Sequence, residues 1–257
     1  MMTIDQREKQ TRLQARMDEL RAEIAFAQNG EKPWPYRACR ESEGVGCCEK
    51  HGKYRTHILV WDDRQGGAVS KISRCPECLV DEMDVTHRTL VAMKADVLIE
   101  NAGVACRFRD CEFENYQEIN SDAARNLAAC RRYAESWEDV LANGTSLVLT
   151  GSCGTGKNHL AVAMAKHIIR NHLASVEITD VMRLTRAVKN CWRNDSEKTA
   201  DEVIEHYASM DLLIIDEVGV QFGSAAEMAI LQEIINARYE SILPTILISN
   251  LSPEELW

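Results

Sequence analysis

The stretch Gly151-Ser-Cys-Gly-Thr-Gly-Lys157-Asn158 carries the spacing GxxxxGK, with Asn at the position where Ser or Thr usually follows. Glycines at these points let the backbone curl so that successive N–H groups point at phosphate oxygens. An apolar run, SLVLT, precedes the loop, and a helical pattern, HLAVAMAKHII, follows it. The helix start adds its dipole to the anion site, and Lys157 reaches the β- and γ-phosphates. Further along, four apolar residues from Leu212 end in Asp216-Glu217, a buried strand with two carboxylates at its C-terminal end, where open parallel sheets bind ligands. Asp216 would hold Mg²⁺, directly or through water, and Glu217 would orient and polarise an attacking water. Together these elements predict ATP with Mg²⁺ and hydrolysis by positioning and charge stabilisation. The candidate nucleotide contacts are Gly151, Gly154, Thr155, Gly156, Lys157, Asn158 and His159, with Asp216. An amide oxygen is a poorer but workable hard ligand for Mg²⁺. Asn158 therefore either substitutes for the usual hydroxyl or marks a slow ATPase whose nucleotide state acts as a switch.

A second constellation lies nearer the start. Cys48-Glu-Lys-His51 and Cys75-Pro-Glu-Cys78 are two knuckles flanking HILVWDDRQGGAVSKI, which reads as a β-hairpin turning at Gly66-Gly67. Three thiolates and one imidazole are what a closed, four-coordinate structural Zn²⁺ site requires. Cys47 is an alternative to Cys48, and Cys39 is a spare; the other reading is a set of reduced thiols. The remaining cysteines, Cys106, Cys111, Cys130, Cys153 and Cys191, read as small hydrophobes.

CEFENY (Cys111–Tyr116), GTGKNHLA (Gly154–Ala161), ITDVM (Ile178–Met182) and DLLIIDEVGVQ (Asp211–Gln221) resemble the DnaC family of replicative-helicase loaders over residues 104–257. GKN in place of GKT is itself typical of that family. The resemblance implies an AAA+ P-loop fold of the initiator clade. It also implies binding of ATP and single-stranded DNA, and delivery of a hexameric DnaB-type helicase, and a homo-oligomer is compatible with it. It makes Asn250, at the end of the strand TILIS, the candidate γ-phosphate sensor. IstB-type transposition helpers share much of this core and remain an alternative, as does a nucleotide-binding adaptor without effective hydrolysis. The chain stops at Trp257, with Ser252-Pro253-Glu254-Glu255 reading as a capping box. An AAA+ module would continue with an arginine finger, a further strand and often a second sensor. The expectation for this chain is therefore weak or absent hydrolysis, an exposed sheet edge and low stability.

The clade also lines its DNA-facing channel with elements that follow the second strand. In VMRLTRAVKNCWR, Val181, Leu184, Val188, Cys191 and Trp192 fall on one side at helical spacing, and Arg183, Arg186, Lys189 and Arg193 on the other. Those four cations are the candidate phosphate contacts, weighed against an ordinary solvated face.

The elements that must position these residues follow from pattern and length. A chain of 257 residues with 45% apolar and 27% charged residues is an ordinary globular composition. Beyond residue 106, strand-length apolar runs alternate with helical stretches, the signature of βαβ units and a parallel sheet, hence an α/β class. The expected organisation is a helical or coiled-coil segment over 1–38, a zinc module over 39–80, a helical linker over 81–105 and the ATPase domain over 106–257. Leu13, Met17, Leu20, Ile24 and Ala27 give the first helix a seam that serves either its own protein or a partner. No apolar run reaches the roughly 18–20 residues of a spanning helix, and MMTIDQREKQ has no signal-peptide h-region. Ten cysteines without such a signal imply reduced thiols or metal ligands and a cytoplasmic setting. The net charge of −10 leaves any nucleic-acid contact to a local patch.

Overall fold

The computed structural model describes residues 4–32, 39–62, 67–192, 198–219 and 225–256. The chain divides into two compact units, Met1–Met93 and Lys94–Trp257.

The first unit holds α1 (Ile4–Asn29), β1 (Arg40–Cys48), β2 (Gly52–Asp62), β3 (Ala68–Ile72) and most of α2 (Pro76–Asn101). The strands form an antiparallel sheet in the order β1-β2-β3. The expected hairpin is β2–β3, with Trp61 opposite Val69 and Asp62 opposite Ala68; Gly66 of its expected turn lies outside the described residues. The seam of α1 is used within the chain. Leu20, Ile24 and Ala27 pack with Leu79 and Met83 of α2. Beside them, Arg16 and Arg74 each donate to Glu82, at 2.7 Å in both cases. β1 carries glycines where strands usually avoid them. A Cβ on Gly46 would stand 2.6 Å from the Tyr54 ring, so the close approach of β2 requires the bare backbone.

The second unit is an α/β layer structure. After two 3₁₀ turns (Cys106–Phe108 and Phe113–Asn115) come α3 (Ser121–Glu135), α4 (Trp137–Asn143), β4 (Leu147–Thr150), α5 (Lys157–His172), β5 (Val176–Asp180), α6 (Val181–Asn190), α7 (Ala200–Ala208), β6 (Leu212–Asp216), α8 (Ala225–Glu240), β7 (Thr245–Ser249) and α9 (Pro253–Leu256). The four strands pair in parallel in the order β4-β7-β6-β5. Helices cover both faces, which is why β6 is apolar at successive positions. Leu212 and Ile214 point to a core shared with Trp137, Leu160, Met164 and Ile168. Leu213 and Ile215 point to the opposite core, with Leu184, Val188, Ile230 and Ile234. The two-residue period of the strand thus feeds two hydrophobic layers.

Two cations lie where pattern alone expects apolar side chains. Arg238 of α8 is 0% exposed. It donates to Thr245 Oγ1 and to the carbonyls of Tyr207, Ala208, Met210 and Pro244, joining the end of α7 to the starts of β6 and β7. Burial among neutral acceptors lowers its pKa to about 10. Lys166 of α5, 4% exposed, donates to the carbonyls of Arg109 and Cys111, at 2.8 and 3.1 Å, and pairs with Glu112. Arg170 meets the same carboxylate at 2.8 and 2.9 Å. Although burial pushes the Glu112 carboxyl upward, its bonds to Arg170 and Lys166 outweigh that and hold it below the ordinary range. Among the described residues, no helix is long and apolar enough to cross a membrane.

Candidate functional site

β4 runs into the glycine loop, and α5 begins at Lys157 with no side chain capping its first turn. The first N–H groups of that turn lack helical partners, so the start of α5 is a ready anion site. Gly156 has φ +86°, and a Cβ there would stand 2.7 Å from the Tyr116 ring. Only glycine satisfies both the backbone conformation and the approach of that ring. Lys157 Nζ donates to the carbonyls of Gly151 and Ser152, at 2.6 and 2.9 Å, and to Asn250 Oδ1 at 3.0 Å. All three are neutral acceptors, so these contacts leave the ammonium charge uncompensated for a phosphate.

Parallel pairing aligns the ends of three strands at this loop. Asp180 stands opposite Asp216 in the register of β5 and β6. Asn158, on the first turn of α5, donates its amide Nδ2 to Asp216 Oδ2 at 2.7 Å. This orientation, set by the hydrogen-bond pattern, leaves the Asn158 carbonyl oxygen free as a hard ligand. A hydroxyl would offer the same pair of functions, one donor and one acceptor. The other Asp216 oxygen accepts from the backbone N–H of Glu217 at 2.7 Å. Glu217 is exposed and has φ +60°, a strained conformation for a residue with a Cβ. Lys157, Asn158, Asp216 and Asn250 are thus brought together by α5 and the ends of β6 and β7.

The loop opens on its other side into a cleft of about 680 Å³ whose walls include Tyr116, Ile119, Thr150, Thr155 and Lys157. That volume is in the range of small-molecule sites. Tyr116 donates to the Thr155 carbonyl at 3.4 Å and meets His159 edge-on, with ring centroids 5.2 Å apart. His159 lines the same cleft as the loop. Its Nε2 stands 2.8 Å from the Glu112 carbonyl oxygen, which fixes the proton on that nitrogen. His159, Lys166 and Arg170 therefore fasten the segment carrying Tyr116 along α5. Sequence patterning missed Glu112, Lys166 and Arg170 as contributors; the one signal was a lysine inside the apolar run of α5.

In the first unit, Cys48, His51, Cys75 and Cys78 place their ligand atoms within 4.8 Å of one another. His51 Nδ1 stands 3.7, 3.5 and 3.3 Å from the sulfurs of Cys48, Cys75 and Cys78, and the Cys48 and Cys78 sulfurs are 3.5 Å apart. Tetrahedral ligands at Zn–S and Zn–N bond lengths stand roughly 3.5–3.8 Å from one another, so these residues fit a single zinc ion. Backbone N–H groups of His51 and Lys50 bond to Cys48 and draw its thiol down to about 6. Cys78, bonded to Cys48 and partly desolvated, is pushed up to about 11. Such crowding of would-be thiolates is what a dication relieves. His51 Nε2 points away, 3.8 Å from Glu77 and 3.7 Å from Asp81, carboxylates suited to orient a ligating ring. Cys47 sits opposite Lys53 and is exposed, and Cys39 is not part of the cluster.

The predicted cationic row is divided. Arg183 Nε pairs at 3.0 Å with Asp180, the residue that caps its own helix. Lys189 is tied at 2.7 Å to Glu227 of α8. Arg186 is exposed, and Arg193 lies outside the described residues. Trp192, placed on the apolar side by helical spacing, is 59% exposed, because α6 ends at Asn190.

The family described as IstB-like ATP binding protein matches residues 79–257. The replicative helicase loader DnaC of Buchnera aphidicola subsp. Schizaphis graminum is 34% identical over 194 residues, covering 76% of this chain and 72% of that protein. The replicative helicase loader DnaC of Escherichia coli K12 is 33% identical over 199 residues, covering 77% and 74%. A crystal structure of the DnaC helicase loader superposes with a TM-score of 0.52 at 24% identity, covering 58% of this chain and 81% of that one. At that identity the structural likeness speaks for the α/β fold alone.

Proposed function

Because the chain belongs to the IstB-like ATP-binding proteins and is a homologue of the DnaC replicative helicase loaders, we propose that it is an ATP-binding loader of a replicative helicase in DNA replication. The meeting of Lys157, Asn158, Asp216 and Asn250 at one loop carries this assignment. The loop amides and Lys157 bind the β- and γ-phosphates. Asn158 Oδ1 and Asp216 hold Mg²⁺, which neutralises phosphate charge when bound. Glu217 orients water at the γ-phosphate, and Asn250 reports whether that phosphate is there. The base lies in the cleft beside Tyr116 and Ile119.

The first unit carries one structural Zn²⁺ on Cys48, His51, Cys75 and Cys78 and serves as the adaptor. Single-stranded DNA is met by Arg186 and by Arg183 once it leaves Asp180, with the exposed Trp192 ring able to stack on a base. Partner choice separates a loader from a transposition helper. The purified chain, mixed with the hexameric helicase of its host and ATP, should co-elute with it in gel filtration at moderate salt. Separate elution, together with retention of a transposase, would overturn the loader assignment.

A further inference from the structure

Ser249 closes β7 immediately before the candidate sensor and is 1% exposed. Its hydroxyl donates to the Val218 carbonyl at 2.6 Å and accepts from the Leu251 N–H at 3.1 Å. The other side of the same residue is also pinned, since the Val218 N–H donates to the Ile248 carbonyl at 3.0 Å. Val218 directly follows Glu217, whose φ of +60° persists only if its surroundings hold it. Leu251 directly follows Asn250, whose Oδ1 meets Lys157 Nζ at 3.0 Å. One buried hydroxyl thus sits between the two polar residues that flank the phosphate loop from β6 and β7. Between Thr245 and Ser249 the strand is apolar, with Ile246 and Ile248 buried, so a hydroxyl at its end is not needed for packing alone.

We infer that Ser249 is a positioning residue that locks Glu217 and Asn250 to each other, so that both respond together to a γ-phosphate. This rests on the nucleotide site proposed above. Ser249 touches no phosphate itself and acts through the peptides on either side. Removing its hydroxyl leaves the Val218 carbonyl and the Leu251 N–H without their partner and frees both side chains from a common frame. ADP has no γ-phosphate, so its binding through the loop amides and Lys157 is untouched.

The test is the ratio of ATP to ADP affinity, read with fluorescent nucleotides and Mg²⁺ on the full chain, for wild type, Ser249→Ala, Asn250→Ala and the double variant. Ser249→Ala is expected to weaken ATP about tenfold with ADP unchanged. The double variant should lose less than the sum of the two single losses, since coupled residues are not additive. Ser249→Thr, which keeps the hydroxyl, should restore most of the ratio. Parallel weakening of both nucleotides in Ser249→Ala would reduce the residue to a packing role, and an unchanged ratio would equally overturn the inference. Wild-type protein that binds neither nucleotide would overturn the nucleotide site itself, an outcome visible before any variant is made.

Discussion

Removing the metal from this protein is expected to unfold the first unit while leaving the second able to bind nucleotide. The reason lies in how little apolar material the first unit buries. Its one hydrophobic cluster among the described residues is Leu20, Ala27 and Leu79, supported by Ile24 and Met83, and beyond it only Met17, Phe26, Leu59, Cys75 and Leu90 are buried apolar side chains. With so small a cluster a metal cross-link weighs heavily in the stability of the unit, and its cysteines form no disulfide. Structural zinc contributes on the order of 10–16 kcal/mol to the folding of small metal-dependent units, more than such a cluster can replace. The ligands also join the ends of the fold, since Cys48 closes β1 and Cys78 lies in the first turn of α2. The second unit keeps its own two cores. Elemental analysis should find one zinc per chain. A strong chelator, or Cys78→Ser, should abolish one calorimetric transition and leave a second that shifts upward with ATP. Substoichiometric metal with an unchanged melting profile after chelation would contradict the site.

The second large effect concerns Lys157. Its Nζ donates only to neutral oxygens of Gly151, Ser152 and Asn250, so its charge is available to the phosphates. Truncating one partner of a desolvated, hydrogen-bonded charge pair costs about 2–5 kcal/mol or more. Lys157→Ala should therefore weaken ATP on the order of a thousandfold, a loss of about 4 kcal/mol that falls within that range. The melting temperature without nucleotide should hardly change, since the side chain supports no core contact. Titration with a fluorescent ATP analogue, beside a thermal melt, measures both. Retained affinity would place the nucleotide elsewhere.

The parts of the molecule that were legible in the sequence share a physical reason. The run LLII before Asp216 could only be a strand covered on both faces, and the glycine loop between an apolar run and a helical pattern could only turn tightly. The cysteine and histidine spacing marked the cluster of Cys48, His51, Cys75 and Cys78, but spacing could not choose between Cys47 and Cys48. The pairing of Cys48 with Gly52 decides it, because successive strand residues point to opposite faces. β1 was hidden, since Gly44 and Gly46 are poor strand residues and are there for the crowding of Thr56 and Tyr54. Lys166 and Arg238 were hidden because a buried cation is expected only where acceptors converge, and it is the fold that brings the carbonyls of Arg109, Tyr207 and Pro244 to them. Trp192 followed helical spacing past the point where its helix ends. The row of cations on α6 looked uniform for the same reason, as neither Asp180 nor Glu227 is visible from spacing within the helix.

A nucleotide-charged loader is expected to place a helicase on DNA. The most direct measurement is the amount of hexameric replicative helicase bound to single-stranded circular DNA after incubation with this protein and ATP, with free helicase removed by gel filtration. Wild-type protein should raise that amount several-fold over helicase alone, and Lys157→Ala should not. Equal recovery with wild type, Lys157→Ala and no added protein would contradict the claim.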